Sequence, residues 1–213
     1  MNKEIFLKLS LISKGVIAAC ALVGFLMEMF LHGWHSIRYY TNQSNLLVVI
    51  FLITLLLKYR KEGHWSKWDI RLKGGITVAI LLTGLVYHFM LAPLKTPEEF
   101  WTIENFLVHY IVPYGALLDW ALFDKGHCYK WWDPFLWTIL PLAYAIISVA
   151  IALITRIPIG NNSDGPFPYF FLNVDKYGIL GVIQYSLGLA AAFLVGSYVL
   201  VLFKNGFKSK EYL

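Results

Sequence analysis

A threonine and a histidine are the residues of this sequence whose types best suit chemistry. Thr41 opens a polar stretch in front of an apolar run, and His109 lies inside another apolar run. A histidine beside a hydroxyl can accept its proton and so activate the oxygen for attack on an ester carbonyl. These residue types therefore favour base-assisted hydrolysis, with Thr41 as the nucleophile and His109 as the base.

Counting along the helices places four such groups at a similar depth. At 1.5 Å per residue, Thr41 lies about 24 Å and His109 about 21 Å from one common end of their apolar runs. His88 and Glu28 lie about 22 Å and 21 Å from that same end of theirs. We expect a polar layer in one leaflet, and polar side chains inside a membrane indicate function by default.

The residues after Thr41 extend this layer. The apolar run that follows them is too short to cross a bilayer alone, so we expect the helix to reach back to about Arg38. Asn42, Gln43 and Asn45 are candidates for contacting the substrate or for donating to the oxyanion of the tetrahedral intermediate. Ser44 shares a helix face with Thr41 and is both a further candidate of this kind and the competing nucleophile.

Each member of this layer also has a structural interpretation. Thr41 can cap a helix, its hydroxyl accepting from the amide of Ser44, and the amides can join helices. His109 can be a structural histidine, or Asn105, one turn earlier, can orient it. His88 and Glu28, which are also candidates for contacting the substrate or the oxyanion, can instead form a structural pair or gate access to the layer.

A metal site is a further alternative. His88, His109 and Glu28 are enough for a three-ligand zinc site with an open position. The sequence has no paired ligands at the helical spacing of the HExxH type, however. Asp119 lies ten residues beyond His109, too deep for the layer, and is interpreted as structural. We predict neither a metal nor an organic cofactor.

The composition indicates which kind of structural element holds the residues of the polar layer. Of 213 residues, 58% are hydrophobic and only 15% are charged, with a mean hydropathy of +0.60. Soluble domains have about a quarter charged residues, so a soluble enzyme is excluded. The net charge of +5 does not indicate nucleic-acid binding, because the charges lie in the connections between apolar runs.

Six apolar runs predict the fold. They cover about 8–31, 40–57, 74–93, 101–123, 135–155 and 177–203, which predicts an all-α polytopic membrane protein with a single domain over 1–213. Fourteen Lys and Arg residues lie on one side of the predicted spans and four on the other. Basic residues are enriched on the cytoplasmic side, so both termini are expected in the cytoplasm and the protein in the cell membrane.

Three sequence segments resemble those of a bacterial six-span family. They are YTNQSNLL at 40–47, HYIVP at 109–113 followed by LDW at 118–120, and GPFPYFFLNV at 165–174. That family is similar, distantly, to the mammalian androgen-induced-protein-like membrane proteins, which are threonine hydrolases of fatty acid esters of hydroxy fatty acids. The resemblance implies that Thr41 is the nucleophile and His109 its partner. The stretch at 42–45 is more polar than its mammalian counterpart, which implies a different substrate.

We therefore expect an integral membrane hydrolase that cleaves a lipid ester in the outer leaflet. Its partners would be a fatty-acyl ester substrate and the surrounding lipids. A small transporter or lipid-binding protein that uses the same polar layer is the main alternative, although transporter sites usually occur in repeated halves and the sequence shows no repeat. A metal-dependent membrane hydrolase is the second alternative.

Overall fold

The computed structural model describes residues 2–160 and 162–206. All regular secondary structure in these residues is helical, and six helices are long and apolar enough to cross a membrane. They are α1 (Lys3–His32), α2 (Tyr40–Glu62), α3 (Lys67–Leu94), α4 (Ile103–Phe123), α5 (Asp133–Thr155) and α6 (Val174–Gly206). The predicted all-α fold with six candidate spans is thereby confirmed.

The start of α2 differs from the expectation. A 3₁₀ turn occupies Trp34–Arg38, Tyr39 is the N-cap, and the α-helix begins at Tyr40 instead of near Arg38. The other end closes at Gly63, whose φ of 75° lies in the left-handed region that favours glycine. Ser66 then starts α3 with a capping box, so α2 and α3 form a tight antiparallel hairpin.

Two spans contain a π-helical turn at equivalent heights. One covers Tyr87–Leu91 in α3 and the other Leu107–Ile111 in α4. Pro113 has no backbone N–H, so it cannot supply the donor that the His109 carbonyl would have in an α-helix. Such turns are frequent at functional sites, and here the second one carries His109.

Helices α1 to α4 form the packed core, and α5 and α6 lie against it. In each of α1 to α4, 39–50% of the most apolar stretch is buried, against 11% and 17% in α5 and α6. The central cluster draws on all four inner helices: Ile17, Ala18, Ala21, Val48, Val49, Leu52, Leu55, Ile80, Val112 and Ala116. Close contact between small and branched side chains is what holds helices together in lipid.

Two glycines allow the neighbouring helices to approach the π turn of α4. A Cβ on Gly24 of α1 would lie 2.7 Å from Cγ1 of Val108. A Cβ on Gly84 of α3 would lie 2.8 Å from the backbone oxygen of His109. The backbone around His109 is therefore held between two helices with no room for a larger residue.

We predict that Gly84→Ala destabilises the protein and displaces His109. The new methyl group would press on a backbone oxygen, which cannot rotate away, so we expect a loss of about 1–3 kcal/mol in unfolding free energy. Thermal unfolding of the purified protein in detergent measures this effect. The control is Gly188→Ala in α6, where an added Cβ meets nothing within 4 Å. Equal stability of the two variants would contradict the close packing at Gly84.

A buried ionic cluster lies farther along α4. Asp119 lies ten residues beyond His109, about 15 Å along the helix. Its carboxylate is 3.2 Å from the Lys14 ammonium and also contacts Lys73, and the side chains of all three are 5% exposed or less. Lys73 contacts Asp124 as well. The cluster joins α1, α3 and α4, which agrees with a structural role for Asp119.

Candidate functional site

Thr41 and His109 meet in the interior of the protein. Oγ1 of Thr41 lies 3.3 Å from Nε2 of His109, and both residues are 8% exposed. Thr41 comes from the first turn of α2 and His109 from the π turn of α4. The structure thus brings together the two groups that the depth count paired.

The hydrogen bonds of His109 define its tautomer. Nδ1 lies 2.9 Å from Oδ1 of Asn105 and 3.2 Å from the Asn105 backbone oxygen. The amide nitrogen of Asn105 donates to the Phe100 carbonyl at 2.8 Å, so the amide oxygen faces the imidazole. Because both neighbours of Nδ1 are acceptors, Nδ1 carries the proton, and the lone pair of Nε2 points towards Thr41.

The ring of Tyr87 holds the imidazole from its face. The two rings stack with centroids 3.7 Å apart and planes 16° from parallel. Tyr87 is 3% exposed and lies in the π turn of α3. His109 is therefore fixed by Asn105 in the plane of its ring and by Tyr87 above it, as a general base requires.

Two tyrosine hydroxyls from elsewhere in the fold cap the start of α2. The backbone N–H of Tyr40 donates to the Tyr144 hydroxyl at 3.1 Å, and that of Thr41 donates to the Tyr169 hydroxyl at 3.3 Å. Tyr39 is the N-cap and Thr41 the second helical residue, so the interpretation of Thr41 as the cap is wrong. The hydroxyl of Thr41 remains available to His109.

The Tyr169 hydroxyl also touches the side chain of Thr41. Its oxygen lies 3.5 Å from Oγ1 of Thr41. Tyr169 is 9% exposed and stacks on Phe171, with centroids 5.0 Å apart. Burial raises the pKa of the Tyr169 phenol above its usual value, so the hydroxyl keeps its proton at neutral pH.

The connection that carries Tyr169 is attached to the start of α2 by Arg38. The guanidinium donates to the backbone oxygens of Ile157 at 2.8 Å and Pro166 at 2.6 Å. The Tyr144 hydroxyl of α5 donates to the Arg38 carbonyl at 2.9 Å. These bonds join the turn before α2 to both α5 and the α5–α6 connection.

The polar residues that follow Thr41 bind backbone and neighbouring side chains. Asn45 donates to the carbonyls of Thr41 at 2.9 Å and Val108 at 3.2 Å. Asn42 donates to the Ser36 carbonyl at 2.8 Å. Gln43 is exposed and donates to the Ile37 carbonyl at 3.0 Å. These amides brace the start of α2, and the structure turns none of their donors towards Oγ1 of Thr41.

Ser44 is directed away from the imidazole. Its hydroxyl lies 2.7 Å from the Thr83 hydroxyl of α3 and 3.0 Å from the Thr41 carbonyl. Of the two candidate nucleophiles, Thr41 is the one in contact with His109.

His88 and Glu28 do not join the Thr41–His109 pair. His88 is exposed, and its Nδ1 lies 3.2 Å from the Tyr110 hydroxyl. Glu28 is half-buried on α1. Within residues 2–160 and 162–206, no three His, Cys, Asp or Glu side chains are grouped as metal ligands, so the zinc arrangement of His88, His109 and Glu28 does not form.

An apolar cleft opens on the other side of Thr41. It contains about 640 Å³ of empty space, including its open side, and lies between α3, α5, α6 and the α5–α6 connection. Thr41, Tyr144 and Tyr169 contribute hydroxyl groups to its lining. Its walls are mostly aliphatic and aromatic, among them Leu82, Val86, Leu142, Ala145, Phe171 and Leu189.

The fold defines a multi-pass helical membrane protein. Comparison with known protein families, with curated proteins and with solved structures finds no match. The function is therefore inferred from the residues of the site.

Two contributors to the site were not predicted. Tyr169 lies in the proline- and aromatic-rich segment at 165–174, to which the sequence alone assigns no chemical role. Tyr87 is adjacent to His88, the residue of α3 that was predicted to belong to the polar layer. The only available signal for either was an aromatic residue close to a motif.

Proposed function

We propose that this protein is an integral membrane hydrolase that cleaves a lipid ester, with Thr41 as the nucleophile and His109 as the general base. The observation that carries the proposal is the position of one hydroxyl. Oγ1 of Thr41 lies 3.3 Å from a properly oriented imidazole nitrogen and also lines an apolar cleft. The nucleophile thus stands between its base and the space for a substrate.

The proposed reaction proceeds in two halves. Nε2 of His109 takes the Thr41 proton as Oγ1 bonds to the ester carbonyl carbon. The imidazolium then protonates the alcohol oxygen as its bond to that carbon breaks, leaving an acyl ester on Thr41. Water attacks this ester in the second half, with His109 again accepting a proton and returning it to Oγ1. No organic cofactor or metal takes part.

The cleft supports an acyl ester of a long chain as the substrate class. Its mostly aliphatic walls suit a fatty-acyl chain, and the Thr41 hydroxyl lies in the same lining. A chain lying in the cleft would present its carbonyl to Thr41. The resemblance of segments 40–47 and 109–113 to a bacterial family that is distantly similar to threonine hydrolases supports a fatty acid ester of a hydroxy fatty acid or a related lipid.

We propose further that both termini face the cytoplasm and that the protein lies in the cell membrane. The charge count supports this orientation, since fourteen of the eighteen Lys and Arg residues lie on the side of the termini. The Thr41–His109 pair would then lie in the outer leaflet, where lipids of that leaflet reach the cleft.

Covalent labelling tests the assignment of the nucleophile. The purified protein in detergent is treated with a long-chain alkyl fluorophosphonate, which forms an adduct with activated hydroxyls, and the adduct is located by peptide mass mapping. We expect the adduct on Thr41 in the wild type and in Ser44→Ala. We expect none in Thr41→Ala or His109→Ala.

Other outcomes would redirect the proposal. An adduct on Ser44 that is lost in Ser44→Ala would support a hydrolase whose nucleophile is Ser44 instead of Thr41. A folded wild-type protein that takes no label and hydrolyses no fatty-acyl ester would contradict the proposed function and leave the cleft as a binding or transport site.

A further inference from the structure

The proposed reaction needs a donor for the negative oxygen that forms when Thr41 attacks. The side-chain donors predicted from the sequence are committed elsewhere. Both amide hydrogens of Asn45 are used on backbone carbonyls, and the amides of Asn42 and Gln43 donate to the turn before α2. The donor must therefore come from another residue.

Tyr169 has the position and the hydrogen-bonding capacity that these residues lack. Its oxygen accepts from the Thr41 N–H and lies 3.5 Å from Oγ1 of Thr41. Because the Thr41 proton faces Nε2 of His109, a lone pair of Oγ1 is left to accept the Tyr169 proton. The Tyr169 hydroxyl is thus placed to donate to the oxygen atom that attacks.

We propose that the Tyr169 hydroxyl, together with the backbone N–H of Thr41, forms the oxyanion hole of this site. The inference rests on the proposed function. When Oγ1 bonds to the carbonyl carbon, the oxyanion is separated from Oγ1 by that single carbon. A hydroxyl and an N–H that already converge beside Oγ1 can then donate to the oxyanion, each exchanging its resting partner for a charged one.

The surroundings of Tyr169 suit a donor that must not move. The ring is nine-tenths buried, stacks on Phe171 and packs 5.6 Å from Tyr39. Arg38 ties the connection to the start of α2 through Ile157 and Pro166. A donor that is held in place before the reaction stabilises the oxyanion more than a donor that must reorganise during it.

The test compares Tyr169→Phe with the wild type. This change removes only the hydroxyl and keeps the ring that packs on Phe171. For hydrolysis of para-nitrophenyl laurate, we expect kcat to fall about 10²-fold with KM changed by less than about threefold. Tyr39→Phe is the matched control, because it deletes another phenol of the same aromatic cluster whose hydroxyl, among the described residues, does not contact Thr41.

A pair of inhibitors separates an oxyanion role from a structural one. A long-chain alkyl trifluoromethyl ketone adds to the nucleophile and mimics the tetrahedral intermediate, whereas the matching methyl ketone binds unreacted. We expect Tyr169→Phe to weaken the trifluoromethyl ketone about 10²-fold and to leave the methyl ketone unchanged. Equal weakening of both compounds would show that Tyr169 only shapes the cleft, and would overturn the inference.

The remaining outcomes distinguish this inference from the proposed function. An active wild type with a Tyr169→Phe variant within about threefold of its kcat overturns the oxyanion role and leaves the hydrolase intact. A wild type that neither hydrolyses the laurate ester nor takes the fluorophosphonate on Thr41 overturns the proposed function and this inference with it.

Discussion

Replacement of Thr41 by alanine is expected to lower kcat for fatty-acyl ester hydrolysis by about 10³-fold or more, because it removes the atom that bonds to the carbonyl carbon. The cleft keeps its shape, since only a hydroxyl and a methyl group are lost. Substrate binding should therefore change little. Steady-state kinetics with para-nitrophenyl laurate, on protein shown to be folded by its thermal transition, measure both quantities.

Two further variants make this result specific. Thr41→Ser keeps the hydroxyl 3.3 Å from His109 and is expected to retain measurable activity. Ser44→Ala removes a hydroxyl that bonds Thr83 and the Thr41 carbonyl, and should affect stability more than kcat. Full activity in Thr41→Ala would refute a threonine nucleophile.

Substitution of Asp119 by asparagine is expected to cost about 3–5 kcal/mol of unfolding free energy. The carboxylate is 1% exposed and lies between the ammonium groups of Lys14 and Lys73. Its removal would leave the two buried ammonium groups of Lys14 and Lys73 with only Asp124, which contacts Lys73, to balance their charge. Thermal or denaturant unfolding in detergent measures the loss.

The matched control for this variant is Asp175→Asn. Asp175 pairs with Arg156 at 2.5 Å, but both side chains are more than half exposed. Exposed pairs contribute less than about 1 kcal/mol, so this variant should be near the wild type. If Asp119→Asn kept its stability and lost hydrolysis, Asp119 would belong to the reaction instead of the scaffold.

The parts of the site that follow from helix geometry were predictable. Thr41 and His109 lie on helices whose ends can be located from apolar runs, so a rise of 1.5 Å per residue sufficed to pair them. Asn105 was accessible in the same way, being one turn before His109. The six helices themselves follow from the length of hydrocarbon that each must cross.

The rotation of the helix explains why Tyr87, and not His88, contacts His109. Successive residues of an α-helix are turned by about 100°, so His88 and Tyr87 cannot both face α4. Depth along the helix axis takes no account of this rotation, so a comparison of depths alone indicated His88. In the structure Tyr87 stacks on His109, and His88 is exposed.

The role of Tyr169 could not be predicted from the sequence, for a different reason. The path of the α5–α6 connection depends on bonds made across more than a hundred residues, such as those from Arg38 to Ile157 and Pro166. No sequence periodicity in the connection predicts which of its backbone oxygens Arg38 will bind, and the sequence therefore does not predict where the connection lies. The position of a loop residue depends on contacts across the whole fold, whereas the position of a helical residue follows largely from the geometry of its own helix.

The inner helices α1–α4 and the outer helices α5 and α6 contribute different parts of the site. Thr41, Asn105 and His109 belong to α1–α4, whereas much of the wall of the cleft belongs to α5 and α6. Substitutions at the apolar wall residues of α5 and α6, such as Leu142, Ala145 and Leu189, can therefore widen or shorten the cleft without changing the distance between hydroxyl and imidazole. Selectivity for chain length and competence for proton transfer are in this way free to diverge among proteins that share the fold.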